Sequence, residues 1–336
     1  MRAALLLGVA LGLLAAAPAQ TQTQGPDLGT GALSFKIPTD YALPTRQAVD
    51  AQGVVWFIES NANKIGRLMP GEAGFEEFDI PTRQSFPTDI TVDAAGIVWF
   101  TEQDANQLGR FDPATRTFEE FDIPTIDSLP LRIQTDATGN LWFSEFYGGK
   151  LGKFEPRSQT FKEYALPDRT SRPSGIAIDA KGLIWFVETK ADRLGRLDPE
   201  SGVISEFDMP KRFLAARDLT LDGAGRIWFS SRTGASLMMF DPREKKFRSH
   251  AIPGGGVAED LAVQADGKVL FALGRAGKLG IFDPVGEHFL VTRIVLGEAR
   301  LTDVDVDRAG DVWLTDIKGN ALLKVGRQHL SRLWPH

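Results

Sequence analysis

Thr88-Asp89-Ile90-Thr91-Val92, Asp93-Ala94-Ala95-Gly96 and Ile97-Val98-Trp99-Phe100-Thr101-Glu102 follow one another in the chain, and this stretch decides the fold. Five alternating, β-branched residues read as a strand. A turn follows whose Gly can take φ > 0, and an apolar–Trp–Phe–x–Glu cluster forms the returning strand. Further on, Asn106 to Phe111 reads as a third strand, Asp112-Pro113 as a turn, and Phe118-Glu119-Glu120-Phe121 as an outer strand stopped by Pro124. The anchor recurs as Trp56, Trp99, Trp142, Trp185 and Trp228 at intervals of 43; Leu270 takes its place 42 residues later, and Trp313 restores it after another 43. The turn recurs too, as Asp50…Gly53, Asp136…Gly139, Asp179…Gly182, Asp222…Gly225 and Asp307…Gly310. A period of about 40–45 residues with four short strands per unit predicts an all-β, seven-bladed β-propeller of four-stranded antiparallel blades.

The seventh unit has an inner strand near Thr302–Asp307, a second at Asp311–Thr315 and a third at Ala321–Val325, but no outer strand. The orphan outer-strand pattern, Leu33-Ser34-Phe35-Lys36-Ile37-Pro38, lies at the front. It is expected to pair into the last blade and close the ring without an open edge. The domain reading is a signal peptide over 1–19, a flexible leader over 20–32, one propeller over 33–330 and a tail over 331–336.

Arg2, the apolar run Ala3 to Leu14 and the Ala17-Pro18-Ala19 cleavage pattern carry the signal-peptide reading. The run is too short to span a bilayer, so a secreted or periplasmic monomer without a transmembrane anchor is expected. The absence of Cys excludes thiolate chemistry, Cys metal sites and disulfides. A formal charge of −6, with basic residues scattered, argues against a nucleic-acid partner.

The Trp-Phe anchors are expected to fill the wedges between blades, and functional candidates sit where the repeats differ. Glu59, Glu102, Glu145 and Glu188 end the second strands, with Asp316 in the matching place; Ser231 and Leu273 break the series. Five acids near one face could hold Mg²⁺ or Ca²⁺ through oxygen ligands, or each could pair locally with Arg67, Arg110, Lys153 or Arg196 or accept backbone N–H bonds. The inner strands begin Thr45-Arg46, Thr88-Asp89, Leu131-Arg132, Ser174-Gly175, Arg217-Asp218, Glu259-Asp260 and Thr302-Asp303. Here Arg46, Asp89, Arg132, Arg217, Asp218 and Asp303 are candidate ligand-binding residues at the channel mouth, for a small polar molecule or a peptide or protein partner. A self-neutralising network across the channel is the alternative. Leu237-Met238-Met239 departs from the Ile-Gly-Arg of other units. Adjacent strand residues face opposite ways, so repacking is expected there and not joint metal ligation.

Trp56-Phe57-Ile58-Glu59, Asn63-Lys64-Ile65-Gly66-Arg67 and Phe118-Glu119-Glu120-Phe121-Asp122-Ile123-Pro124 together resemble the streptogramin B lyase (virginiamycin B lyase) family over nearly all of the chain after residue 19. The resemblance implies a seven-bladed propeller and a Mg²⁺-dependent elimination that opens a cyclic depsipeptide at its ester. It also implies a His base within a Pro-His-Gly/Ala-Ile segment at the start of an inner strand. The matching positions here are Thr45, Thr88, Leu131, Ser174, Arg217, Glu259 and Thr302, and none is His. The acid preceding that Pro-His is likewise replaced, by Leu43, Phe86, Leu129, Arg172 and Arg300 among others. Glu259 with Asp260 is the one acid pair at the mouth that could substitute as catalytic groups. Two readings result: an exported ligand- or partner-binding propeller, or a metal-dependent lyase or lactone hydrolase acting on a cyclic ester.

Overall fold

A computed structural model of the chain describes residues 31–71, 74–210, 214–231, 233–295 and 298–334, and the backbone of Gln22–Gln24. The signal peptide expected over 1–19 and most of the leader over 20–32 lie outside the described residues. Seven four-stranded antiparallel units stand around one axis, the first six each running in sequence order from an inner to an outer strand. Blade 2 is typical, with strands Pro87–Val92, Val98–Glu102, Gln107–Asp112 and Thr117–Asp122. Gln22–Gln24 adds a parallel fifth strand to the outer edge of blade 6.

Closure follows the expected pattern. Ala32–Lys36 lies antiparallel to Ala321–Val325, with Ala32 opposite Val325 and Lys36 opposite Ala321. It supplies the outer strand that the last blade lacks, so the ring is sealed by residues from both ends of the domain. Beyond that blade, the residues read as a tail begin within an α-helix, Arg327–Leu333, which buries Leu330 against blades 6 and 7.

Each cleft between neighbouring blades holds its own apolar cluster, seven in all. The Trp-Phe dipeptide explains why. Adjacent strand residues face opposite ways, so Trp56 fills the cleft toward blade 2 while Phe57 fills the cleft toward blade 7. The Phe ring needs room, which the third strand gives by placing Gly opposite it. A Cβ at Gly66 would lie 2.1 Å from Phe57 Cζ, and Gly109 stands the same way to Phe100. Blade 5 carries Met238 opposite Phe229 instead; Met238 and Met239 are both buried and enter different clefts, as their alternation predicts.

The recurring Asp turn does more than bend the chain. Asp93 Oδ1 accepts the backbone N–H groups of Ala95 and Ile97, while Oδ2 accepts the Trp99 indole N–H at 3.0 Å. The same indole bond forms from Trp56, Trp142, Trp185, Trp228 and Trp313 to the Asp six residues earlier. In blade 6 the Trp is Leu270 and the turn residue is Gln264, so donor and acceptor vanish together.

Loops from one blade's outer strand to the next blade's inner strand are pinned as well. Asn63 donates to the carbonyls of Ile80 and Thr82 and accepts from Ser85, and Asn106 repeats this one blade on. Glu120 accepts both the N–H and the hydroxyl of Thr82, tying blade 2 to the loop that precedes it. Replacing Asp93 by Ala should cost about 2 kcal/mol or more, because buried donors lose their acceptor. The same change at Gln264 should cost little. Urea unfolding of both variants checks the contrast, and equal losses would show that the indole bond contributes nothing.

Candidate functional site

Six of the seven inner strands begin with a register break; the blade 5 strand, Leu219–Leu221, pairs without one. In blade 1 the pairing jumps between Pro44 and Gln47, and blades 2, 3, 4, 6 and 7 break at the matching place. A bulge re-aims side chains, and here it separates the two residues of each variable pair. The second residue turns into the channel. The first stays at the face where the loops between blades cross, the crossover face.

Apart from Gly175, the second residues bring charged side chains together at the axis. Arg46 Nη1 donates to Asp303 Oδ1 at 2.7 Å and lies 3.0 Å from Asp260 Oδ1, while its Nη2 donates to Asp218. Arg132 Nη2 and Nε also reach Asp218 Oδ2, at 2.7 and 3.1 Å. Three of the aspartates tie blades together as well: Asp89 accepts the N–H of Ile133, Asp260 that of Val304, and Asp303 that of Gln47, each one blade further on. Asp218 is diverted to the two guanidinium groups. These contacts match the alternative considered from sequence, an ionic network across the channel, here spanning blades 1, 3, 5, 6 and 7.

Arg46, Asp89, Asp218, Asp260 and Asp303 are each no more than 9% exposed. Burial alone would lower the Arg46 pKa; the carboxylates of Asp218, Asp260, Asp303 and Asp89 reverse this and hold it well above its ordinary value. Burial raises Asp89 and Asp260 to about 7, with Arg46 opposing, and it raises Asp218 and Asp303 also. Two guanidinium groups face four aspartates, and burial favours the protonated form of the surplus acids. From this ring toward the Asp turns runs a polar cavity of about 410 Å³, lined by residues such as Gln47, Thr91, Gln134 and Asp305. Burial raises Asp305, inside it, to about 6.

The first residues, where the lyase resemblance would place a His, are mostly engaged in structure. Thr45 bonds Ser60, which donates to the Pro87 carbonyl; Thr88 bonds Thr101, Ser174 bonds Thr189, and Thr302 bonds Thr315. Leu131 is buried. Arg217 is exposed and Glu259 half-buried on the crossover face, away from the ring that holds Asp218 and Asp260. Glu259 and Asp260, adjacent in sequence, therefore do not act on one point.

Glu59, Glu102, Glu145 and Glu188 are fully buried, each inside its own blade, and neither oxygen of any of them makes a well-formed hydrogen bond. The local pairing considered from sequence does not occur. Arg67 stands opposite Trp56 in the ladder, three residues from Glu59, and pairs with Glu76; Arg110 pairs with Glu119 and Lys153 with Glu155. Asp316 accepts the backbone N–H groups of Arg300 and Lys318. These five acids do not gather at one point. Among the described residues no group of three or more His, Asp or Glu is placed to hold a metal, so Mg²⁺ or Ca²⁺ finds no shared ligand set there. Burial raises Glu59 and Glu145 to about 8 and Glu102 and Glu188 to about 7, the Ser85 and Ser171 hydroxyls offsetting little of it in the latter two.

Sequence reasoning missed how the crossover face divides. Leu43, Phe86, Leu129 and Arg172 precede prolines with positive φ, a strained conformation for bulky residues, in the loops leading into blades 1 to 4. Tyr41, Ile126 and Tyr147 lie exposed on the same side, and Arg172 stacks over Phe146 and Tyr147 at 5.5 and 5.3 Å. Arg217, Arg275 and Arg300 occupy the side of blades 5 to 7. The signal was available in the inner-strand Pro itself, present as Pro44, Pro87, Pro130 and Pro173 and replaced by Ala216, Ala258 and Leu301 in blades 5 to 7.

Blade number and closure define a seven-bladed β-propeller. The virginiamycin B lyase family matches residues 27–239, and the chain belongs to that family. Virginiamycin B lyase from Staphylococcus aureus superposes with a TM-score of 0.82 at 24% identity, over 87% of this chain and 98% of that one. A catalytically inactive variant of that lyase with quinupristin gives 0.81 at 23%, over 87% and 98%. The extracellular domain of a B. thetaiotaomicron protein described as a hybrid two-component system gives 0.69 at 16%, over 84% of this chain and 40% of that one. At these identities the likenesses establish the fold. A sequence search of curated proteins finds no match. Among the described residues no helix is long and apolar enough to cross a membrane.

Two outcomes follow from the buried charges. Carboxyls whose pKa is raised on folding bind more protons folded than unfolded, so their contribution to stability falls as pH rises through about 5 to 8. Glu102→Gln should flatten that decline and stabilise the protein by about 1 kcal/mol at pH 8; a steeper decline would reverse the assignment. Arg46→Met strands the aspartates and should cost about 3–5 kcal/mol at pH 8 but less at pH 5, below the pKa of about 7 to which Asp89 and Asp260 are raised. Denaturant midpoints at both pH values read this, and a loss independent of pH would show that Arg46 acts by packing alone.

Proposed function

We propose that this protein is an exported recognition propeller, binding a small polar molecule or a peptide or protein partner on its crossover face, and not an ester-opening lyase. The observation that carries the reading is the state of the seven inner-strand starts. They hold no imidazole, and four of them spend their hydroxyls on hydrogen bonds to neighbouring strands. Proton abstraction needs a base within hydrogen-bond reach of the substrate and free to accept. The ring aspartates are engaged by Arg46, Arg132 and backbone N–H groups, so they support the fold and set the floor of the mouth. Shared architecture does not carry the family's activity with it.

The alternative, a lyase or lactone hydrolase, rests on family membership and on Glu259, the one carboxylate at an inner-strand start that lies on the crossover face. Incubation with a streptogramin B antibiotic, followed by mass spectrometry of the ring-opened product, separates the two. The recognition reading expects no opening beyond the buffer control. Opening at a lyase-like rate that Glu259→Gln abolishes would replace it with the second reading.

A further inference from the structure

Blade 6 breaks the repeat in four ways at one place. The loop entering it, Ile252-Pro253-Gly254-Gly255-Gly256-Val257-Ala258, is one residue shorter than its counterpart Ile80 to Pro87, which accounts for the single interval of 42. Its three glycines have φ of 74, 71 and 116°, a course that residues with side chains rarely take, and they leave the rim bare. The buried Glu that ends the second strand in blades 1 to 4 is Leu273 here. A 3-10 turn, Gly274–Ala276, follows it and carries Arg275.

The result is a cavity of about 330 Å³ at the mouth, lined by Val257, Glu259, Leu273, Arg275 and Arg300 among others. Glu259 packs over Gly274, where a Cβ would come 2.6 Å from its Cγ and 3.0 Å from its Oε1. Among the described residues neither Arg275 nor Arg300 forms an ion pair, and Glu259 forms none either. Two guanidinium groups and one carboxylate thus share a small pocket with Val257, Leu273 and Ala276, unpaired with one another. Elsewhere in this fold cations close to acids pair with them, as Arg67 does with Glu76 and Lys150 with Glu163.

We infer that this pocket binds a free α-amino acid with an apolar side chain. Its carboxylate suits the guanidinium groups of Arg275 and Arg300, its ammonium suits Glu259, and its side chain suits Val257 and Leu273. The net positive charge of the three groups selects for a ligand with a carboxylate over a bare amine. The inference rests on the recognition reading of the crossover face and names the ligand class for part of it.

Isothermal titration of the folded protein with L-leucine, L-valine and L-methionine tests it, alongside 4-methylpentanoate and 3-methylbutylamine, which lack the ammonium and the carboxylate of leucine. Saturable binding of at least one amino acid is expected, with leucine's two truncated analogues weaker than leucine by about tenfold or more if leucine is that ligand. Arg275→Ala with Arg300→Ala should abolish binding. Glu259→Gln should weaken leucine by about tenfold while leaving 4-methylpentanoate unchanged. Circular dichroism of each variant checks that it folds. No saturable binding of any of the three amino acids, or binding that survives the double Arg variant, overturns the inference. Either result leaves the streptogramin assay, which judges the recognition reading, to be decided on its own.

Discussion

A ring of seven wedges has no finished core until it shuts. Each apolar cluster here lies between two blades, so the cleft between blades 7 and 1 exists only because Ala32–Lys36 completes the last sheet. That seam brings Ile37 and Phe35 beside Val55, Phe57 and Trp313. Arg46 works on the same problem from inside, reaching from blade 1 to aspartates of blades 5, 6 and 7. The outer seam is apolar and the inner one ionic. Both join stretches far apart in the chain, which fits a fold whose neighbouring units are otherwise local in sequence.

Most of this architecture was legible because it repeats. A 43-residue interval, a fixed turn and a missing outer strand specify blade number, strand order and closure without any knowledge of side-chain contacts. The indole–Asp bond was legible in principle, since Trp and Asp keep a spacing of six and are lost together at Leu270 and Gln264. It was read only as a turn because a periodic residue with one obvious role does not advertise a second. The Asn63 and Glu120 clamps sat unnoticed inside recognised motifs for the same reason.

The site was less legible, and geometry explains why. The variable pairs were located from sequence, yet a one-residue bulge sends Asp260 into the channel and leaves Glu259 at the surface. No pattern announces that Arg46 meets Asp218, 172 residues away. The second-strand glutamates looked like surface acids near a mouth; their burial depends on the packing of loops that the Asn and Glu clamps hold down. Repetition reveals what every blade does, whereas function depends on what single blades do differently.

The Arg46 ring also sorts the kinds of traffic this molecule permits. With the axis crossed by a guanidinium held by three carboxylates, the tunnel is barred part-way along its length. An unfolded polypeptide or a polymer strand cannot be threaded from one side of the disc to the other. Whatever docks on one side leaves by the side it entered, and the polar chamber behind the ring is free to fill with solvent or ions independently of it.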